Sequence, residues 1–160
     1  TILLIGKTFG HLEQSCFLKE NYSITEGMPP EVNLLNEKNN GETVLRLINE
    51  ELILSSHDIS SGGLITAIAE MAIKSNYGAI IQKPKKLTNL FQYFFGEDQS
   101  RYILEIDNNN LSKIEKILKN NNIYYENIGF TQNKYLEIEG ELKISTKDLF
   151  KVNNEWYSTY

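Results

Sequence analysis

The stretch Ser56-His57-Asp58-Ile59-Ser60-Ser61-Gly62-Gly63-Leu64 constrains this chain more than any other. It joins a strand-like segment, Leu52 to Asp58, to a largely apolar helical run. Paired glycines at such a junction permit positive φ and close backbone approach, and the helix that follows presents unpaired N–H groups at its first turn. Both features favour an anion, and phosphate is the natural guest. Asp58 at the strand end suits Mg²⁺, since a hard cation with phosphate ligands takes one or two protein carboxylates. Ser60, Ser61, Gly62 and Gly63 are therefore the candidate phosphate-binding residues, and Asp58 is the candidate metal ligand. The plainer reading of the same residues is an N-cap followed by a tight turn, with no ligand. Walker A and dinucleotide-binding loops are excluded, because the P-loop Lys and the G-x-G-x-x-G spacing are both absent.

Around this junction strand and helix periodicities alternate. Ile2-Leu3-Leu4-Ile5, closed by Gly6, reads as a buried strand. Residues 10–30 carry no sustained period, and Gly27 with Pro29-Pro30 marks a turn. Val32, Leu35, Val44, Leu45, Ile48 and Leu52 predict one long amphipathic helix over 31–51, or two joined near Gly41. The helix after Gly63 carries Leu64, Ile65, Ile68, Ala69, Met71, Ala72 and Ile73; Ala79 to Gln82 is a strand, and Leu87 to Phe95 an aromatic helix ending at Gly96. Arg101 to Ile106 alternates as a strand, and Asn108-Asn109-Asn110 caps a helix whose core face is Leu111, Ile114, Ile117 and Leu118. Ile123 to Phe130 and Tyr135 to Ile138 read as two antiparallel strands, and Leu142 to Ile144 as a short one. Ser145-Thr146 caps a last helix carrying Leu149, Phe150 and Trp156. This order predicts a single α+β domain over residues 1–160, with helices packed on a mixed β-sheet and no internal repeat or linker.

Composition narrows the function classes. The chain has 160 residues and a formal net charge of -5, with 16 basic residues against 21 acidic ones, which argues against a nucleic-acid partner. No apolar run approaches the roughly 18–20 residues that cross a bilayer, so no membrane role is expected. Cys16 is the single cysteine; it forms no internal disulfide and suits a small apolar position in a reducing, cytoplasmic compartment. An opening at Thr1 with an apolar strand, and without Met or a signal segment, is the expectation for a fragment of a longer polypeptide.

With 14 Lys and only 2 Arg, each arginine is informative, because the planar guanidinium fork has no substitute in lysine. Arg101 falls in a second cluster, Phe95-Gly96-Glu97-Asp98-Gln99-Ser100-Arg101, at the entrance of a strand. Glu97, Gln99, Ser100 and Arg101 suit a polar substrate or an auxiliary site, and Arg101 suits a bidentate pair with Asp58 or Glu97, or a phosphate. A polar turn with a surface salt bridge is the plainer alternative. His57 reads as a partly buried, satisfied histidine rather than a catalytic base, and His11 as an exposed one. Phe91, Tyr93, Phe94 and Phe95 read as core or domain interface, and Lys83, Lys85 and Lys86 as a solvated turn around Pro84.

Taken together, His57 to Leu64 continued by Ala67-Ile68-Ala69-Glu70-Met71-Ala72 resembles the C-terminal domains of the AIR synthase-related superfamily. Within it, the chain is most similar to the last domain of the phosphoribosylformylglycinamidine synthases. Gly6 after the opening strand, Glu13-Gln14-Ser15, Phe95-Gly96-Glu97 with Gln99-Ser100-Arg101, and the helix near Trp156 agree, so the resemblance spans essentially the whole chain. It implies a parent synthetase that makes formylglycinamidine ribonucleotide from formylglycinamide ribonucleotide, ATP and glutamine-derived ammonia, with Mg²⁺. It implies as partners the remaining domains of the synthetase, a glutaminase subunit and a small PurS-type subunit. The catalytic residues would lie elsewhere in that synthetase, and this fragment alone would be inactive, with a structural or auxiliary nucleotide-site role. The resemblance implies a synthetase of two related halves, this chain matching the C-terminal domain of the second; in the first half the Asp matching Asp58 holds Mg²⁺ and the Glu-Ser-Gln matching Glu97-Asp98-Gln99 touches substrate. Position 98 departs from that pattern, and its carboxylate would repel a phosphate-bearing ligand. Alternatives are another ATP-using member of the superfamily, of the hydrogenase-maturation or thiamine-phosphate kinase type, and a stand-alone interaction module.

Overall fold

Strand β1 (Ile2–Ile5) is buried along its whole length because both of its faces are covered. In the computed structural model, which describes residues 1–84 and 89–158, Ile2 and Leu4 enter one apolar cluster while Leu3 and Ile5 enter a second. A strand apolar on both faces belongs at the centre of a layered sheet. The described residues form one seven-stranded sheet in the order β2-β4-β1-β5-β3-β6-β7. Its members are β2 (Ser55–Asp58), β3 (Tyr77–Ile81), β4 (Tyr102–Glu105), β5 (Tyr125–Asn133), β6 (Tyr135–Ile138) and β7 (Leu142–Ser145). β3 and β6 run parallel, and the other neighbouring pairs are antiparallel. The expected mixed sheet with helices packed on it is therefore the fold.

Helices α2 (Leu34–Asn49) and α5 (Leu111–Asn120) cover one face, burying Val44, Leu47, Ile114, Ile117 and Leu118 with Leu3, Ile5 and Leu104. The other face carries α3 (Gly63–Ser75) and α4 (Leu90–Phe95), with Leu149 of α6 (Thr146–Ser158) packed at its margin. α2 runs unbroken through Gly41, and Asn33 caps it by accepting from the N–H groups of Leu35 and Asn36.

Two expectations need correction. Within residues 10–30 a short helix α1 (Cys16–Tyr22) forms, capped by Ser15; it buries no residue completely, so no apolar period announces it. β5 and β6 do run in opposite directions, but β3 lies between them and pairs with both. Gly78 makes this insertion possible, since a Cβ there would meet the Tyr135 carbonyl oxygen at 1.8 Å. Lys83 pairs with Glu141, whereas Lys85, Lys86 and the expected helix start at Leu87 lie outside the described residues.

Candidate functional site

The junction after β2 is built as the sequence suggests, but its close approach is made by the chain itself. Gly62 and Gly63 both have positive φ, +81° and +71°. A Cβ on Gly63 would lie within 2.8 Å of backbone atoms of Phe94, Phe95 and Gly96, so the glycine lets the start of α3 seat against the end of α4. A Cβ on Gly62 would strike Thr66 Oγ1 at 2.2 Å. The N–H of Gly63 donates to Ser60 O at 3.1 Å, closing the turn.

Glu97 occupies the place an incoming anion would take. Its Oε1 accepts from the Gly62 N–H and from the Cys16 N–H, each at 2.8 Å, tying the start of α3 to the start of α1. Asp98, 4% exposed, accepts from three consecutive N–H groups: Phe9 at 2.9 Å and Gly10 at 2.8 Å on Oδ2, and His11 at 3.2 Å on Oδ1. The Asp98 carboxylate is thus tied to the backbone of the loop after β1.

Arg101 is 1% exposed and, in place of the expected pair with Asp58 or Glu97, is bonded within its own loop. Its Nε donates to Asp98 O at 3.1 Å, Nη1 to Thr8 Oγ1 at 3.2 Å and Nη2 to Gly96 O; Nη1 lies 3.9 Å from Asp98 Oδ2. Burial draws its pKa down, and the nearby Asp98, then Tyr93 and Glu97, pull it back up. The guanidinium fork is consumed in holding the Gly96–Asp98 loop against Thr8.

The remaining predicted residues face outward. Asp58, Ser60 and Ser61 are exposed beside the junction. Gln99 is exposed, and Ser100 is held by buried Asn40, whose Nδ2 donates to Ser100 O at 2.8 Å and Oγ at 3.1 Å. Asp98, Gln99 and Ser100 line a polar cavity of about 600 Å³ whose other walls are Phe9–Glu13, Leu18, Gln92 and the Pro30–Asn36 approach to α2. His11 belongs to this cavity: it is half-buried, with Nε2 2.8 Å from Met28 O, which corrects the expectation of an exposed histidine. His57 is satisfied as expected, Nδ1 lying 2.6 Å from Asp58 O and Nε2 3.2 Å from Glu70 Oε2. Cys16 is half-buried at the first turn of α1. Tyr93 and Phe94 are core, while Phe91, 52% exposed, stacks on Phe17.

The Thr8–Gly10 stretch, which meets Asp98 and Arg101, carries no motif that marks this role in the sequence. Its one local signal is Gly10, whose φ of +79° and tight approach to Gln92 require glycine. The N–H groups of Gly62 and Gly63 are bonded within the chain and Arg101 points inward. Among the described residues no group of three or more His, Cys, Asp or Glu is placed to hold a metal ion.

The chain is thus a mixed sheet layered by helices on both faces, with a Gly-Gly helix start bonded by a carboxylate from a neighbouring loop. The family model described as AIR synthase related protein, C-terminal domain, matches residues 1–139, and the chain belongs to that family. The phosphoribosylformylglycinamidine synthase subunit PurL of Pelagibacter ubique (strain HTCC1062) is 46% identical over 159 residues, 99% of this chain. PurL of Rhodopseudomonas palustris (strain TIE-1) is 40% identical over the same share. The chain spans 22% of the length of each of these relatives. Among solved structures, Thermotoga maritima PurL complexed with FGAR superposes with a TM-score of 0.72 at 17% identity, covering 93% of this chain and 27% of that one. Thiamine-monophosphate kinase from Stenotrophomonas maltophilia K279a shares the fold at a TM-score of 0.56 and 14% identity, over 88% of this chain and 50% of that one. Among the described residues no helix is long and apolar enough to cross a membrane.

Proposed function

We propose that this chain serves as the C-terminal domain of the synthetase subunit of a phosphoribosylformylglycinamidine synthase. The observation that carries the proposal is the 46% identity with Pelagibacter ubique PurL along 99% of the chain. The longer protein would join formylglycinamide ribonucleotide and glutamine-derived ammonia at the expense of ATP, with Mg²⁺, in a cytoplasmic purine-synthesis reaction. Relatives solved with ATP and as a PurLQS assembly support ATP as cosubstrate, and a glutaminase and a small PurS-type subunit as partners.

Within that enzyme the role of this domain is to support and position, and the fragment alone is inactive. Glu97, Asp98 and Arg101 are committed to internal bonds that pin the Thr8–Cys16 segment and the α3 start. What remains open toward the rest of the synthetase is the rim of Asp58, Ser60 and Ser61, together with Gln99 at the polar cavity. Asp58 is the group on this rim that would meet a Mg²⁺ bound chiefly by other domains or by nucleotide oxygens.

A domain exchange tests the assignment. The matching segment of Pelagibacter ubique PurL is replaced by this chain, and ammonia-dependent formation of formylglycinamidine ribonucleotide is measured with ATP and Mg²⁺. Activity within about tenfold of the parent is expected, the scale of a loss of about 1.4 kcal/mol in transition-state stabilisation. A folded but inactive exchange protein would overturn the assignment.

A further inference from the structure

Two adjacent carboxylates of this chain fill two separate sets of backbone N–H groups. Glu97 bonds the N–H groups at the starts of two helices, those of Cys16 and Gly62, and Asp98 bonds three consecutive ones in the loop after β1. Clusters of convergent N–H groups at helix starts and in loops are the backbone's usual device for holding oxyanions such as phosphate. Here each cluster receives an oxyanion that is covalently part of the chain and is present at high effective concentration. The counter-charge also comes from within, since the Arg101 guanidinium lies 3.9 Å from Asp98 Oδ2 and is shut off from solvent.

We propose that Glu97 and Asp98 are built-in anions that close these N–H clusters permanently. The start of α3 and the Thr8–Cys16 segment are then held in place without any ligand, and the junction rejects phosphate. Three further observations point the same way. The close approach permitted by Gly63 is used by the Phe94–Gly96 backbone, leaving no cradle for a guest. The adjoining cavity carries three carboxylates, Glu13, Glu31 and Asp98, beside His11, amide and apolar side chains, with no Lys or Arg among its described lining residues. A phosphate approaching Gly62 would have to displace Glu97 and would leave that carboxylate unpaired beside it. Glu97 and Asp98 are accordingly positioning residues, acting through the loops they hold. The inference rests on these hydrogen bonds and is independent of the parent-enzyme assignment.

Amide exchange and amide chemical shifts of the chain test it, measured without ligand, with millimolar inorganic phosphate, with Mg-ADP, and with sodium chloride at matched ionic strength. In the unmodified chain the N–H groups of Gly10, Cys16 and Gly62 are expected to be protected without ligand and unmoved by phosphate or Mg-ADP beyond the chloride control. Glu97→Ala is expected to lose protection about tenfold or more at Cys16 and Gly62, the change that matches one charge-assisted hydrogen bond. Formate or inorganic phosphate should restore it, whereas Glu97→Gln, which keeps an acceptor oxygen but not the charge, should fall between Glu97→Ala and the unmodified chain. Saturable movement of the Gly62 amide by phosphate in the unmodified chain overturns the proposal. So does full protection of Cys16 and Gly62 in Glu97→Ala without added anion. Should Glu97→Ala fail to fold, the phosphate response of the unmodified chain still decides between built-in and external anion.

Discussion

Arg101 carries a full charge at 1% exposure, which is tolerable only because its three donor positions each have an acceptor and Asp98 lies beside it. Arg101→Met keeps most of the volume but leaves Gly96 O without its donor and the Asp98 carboxylate without its counter-charge. Urea unfolding should show a loss of about 3–5 kcal/mol, the usual cost of stranding one partner of a buried pair. Arg101→Lys should recover only part of it, because an ammonium cannot span the Gly96, Asp98 and Thr8 acceptors in one plane. Tyr93 makes a different prediction. Burial first, then the Glu126 carboxylate, raise its phenol pKa above the ordinary 10.0, and Tyr102 and Tyr124 are raised in the same direction. A raised folded-state pKa means that the native protein binds the proton more tightly than the unfolded chain does. Stability from this source is intact below about pH 10 and falls as pH rises above it. Unfolding free energies measured from pH 9 to pH 11 should decline, and the decline should be shallower in Tyr93→Phe.

Helix starts are where local sequence and tertiary demand meet. Asn33 at the start of α2 is a cap of the ordinary kind, and Asn33→Ala should cost about 1 kcal/mol, read from the denaturation midpoint. The start of α3 is of another kind: Gly62 offers no side-chain cap, and the carboxylate that serves it comes from Glu97, 35 positions away. Gly63→Ala should therefore cost about 2–4 kcal/mol, far more than a glycine-to-alanine change in an open helix. The added Cβ meets backbone of Phe94, Phe95 and Gly96 rather than a movable side chain. This explains what could be read locally. α3 and α5 bury the apolar residues their periods point to, whereas α2 exists as a helix but buries Val44 and Leu47 with Asn40 and Thr43 and leaves the expected Val32, Leu35, Leu45 and Ile48 exposed; α1 buries nothing fully and is held by Ser15 and Glu97.

At the scale of the molecule, Phe9 is 79% exposed, Met28 71% and Leu34 78%, and the chain spans 22% of the length of its relatives. Phe9 lines the polar cavity, and Leu34 begins the α2 helix whose approach forms another of its walls. On the proposed function, this side of the domain meets the rest of the synthetase. Leu34→Lys should leave the stability of the chain within about 0.5 kcal/mol, as exposed changes do, while lowering the activity of the domain-exchange protein. An unchanged activity would remove Leu34 from that contact.

Local sequence is enough to give the α+β class, the elements flanking the Gly-Gly junction and a buried β1. Each of these is written in local periods of apolar residues and in the turn chemistry of glycine and asparagine. It also marked Glu97 to Arg101 as a unit, through the scarcity of arginine. Tertiary structure alone decided what that unit does. Asp98 finds its N–H partners 87 to 89 positions away and Glu97 finds one 81 positions away, and Arg101 turns inward to Thr8 instead of outward to a ligand. The insertion of β3 between β5 and β6 is of the same origin. Both depend on which distant backbone groups come to lie side by side, and no local period of the chain encodes that.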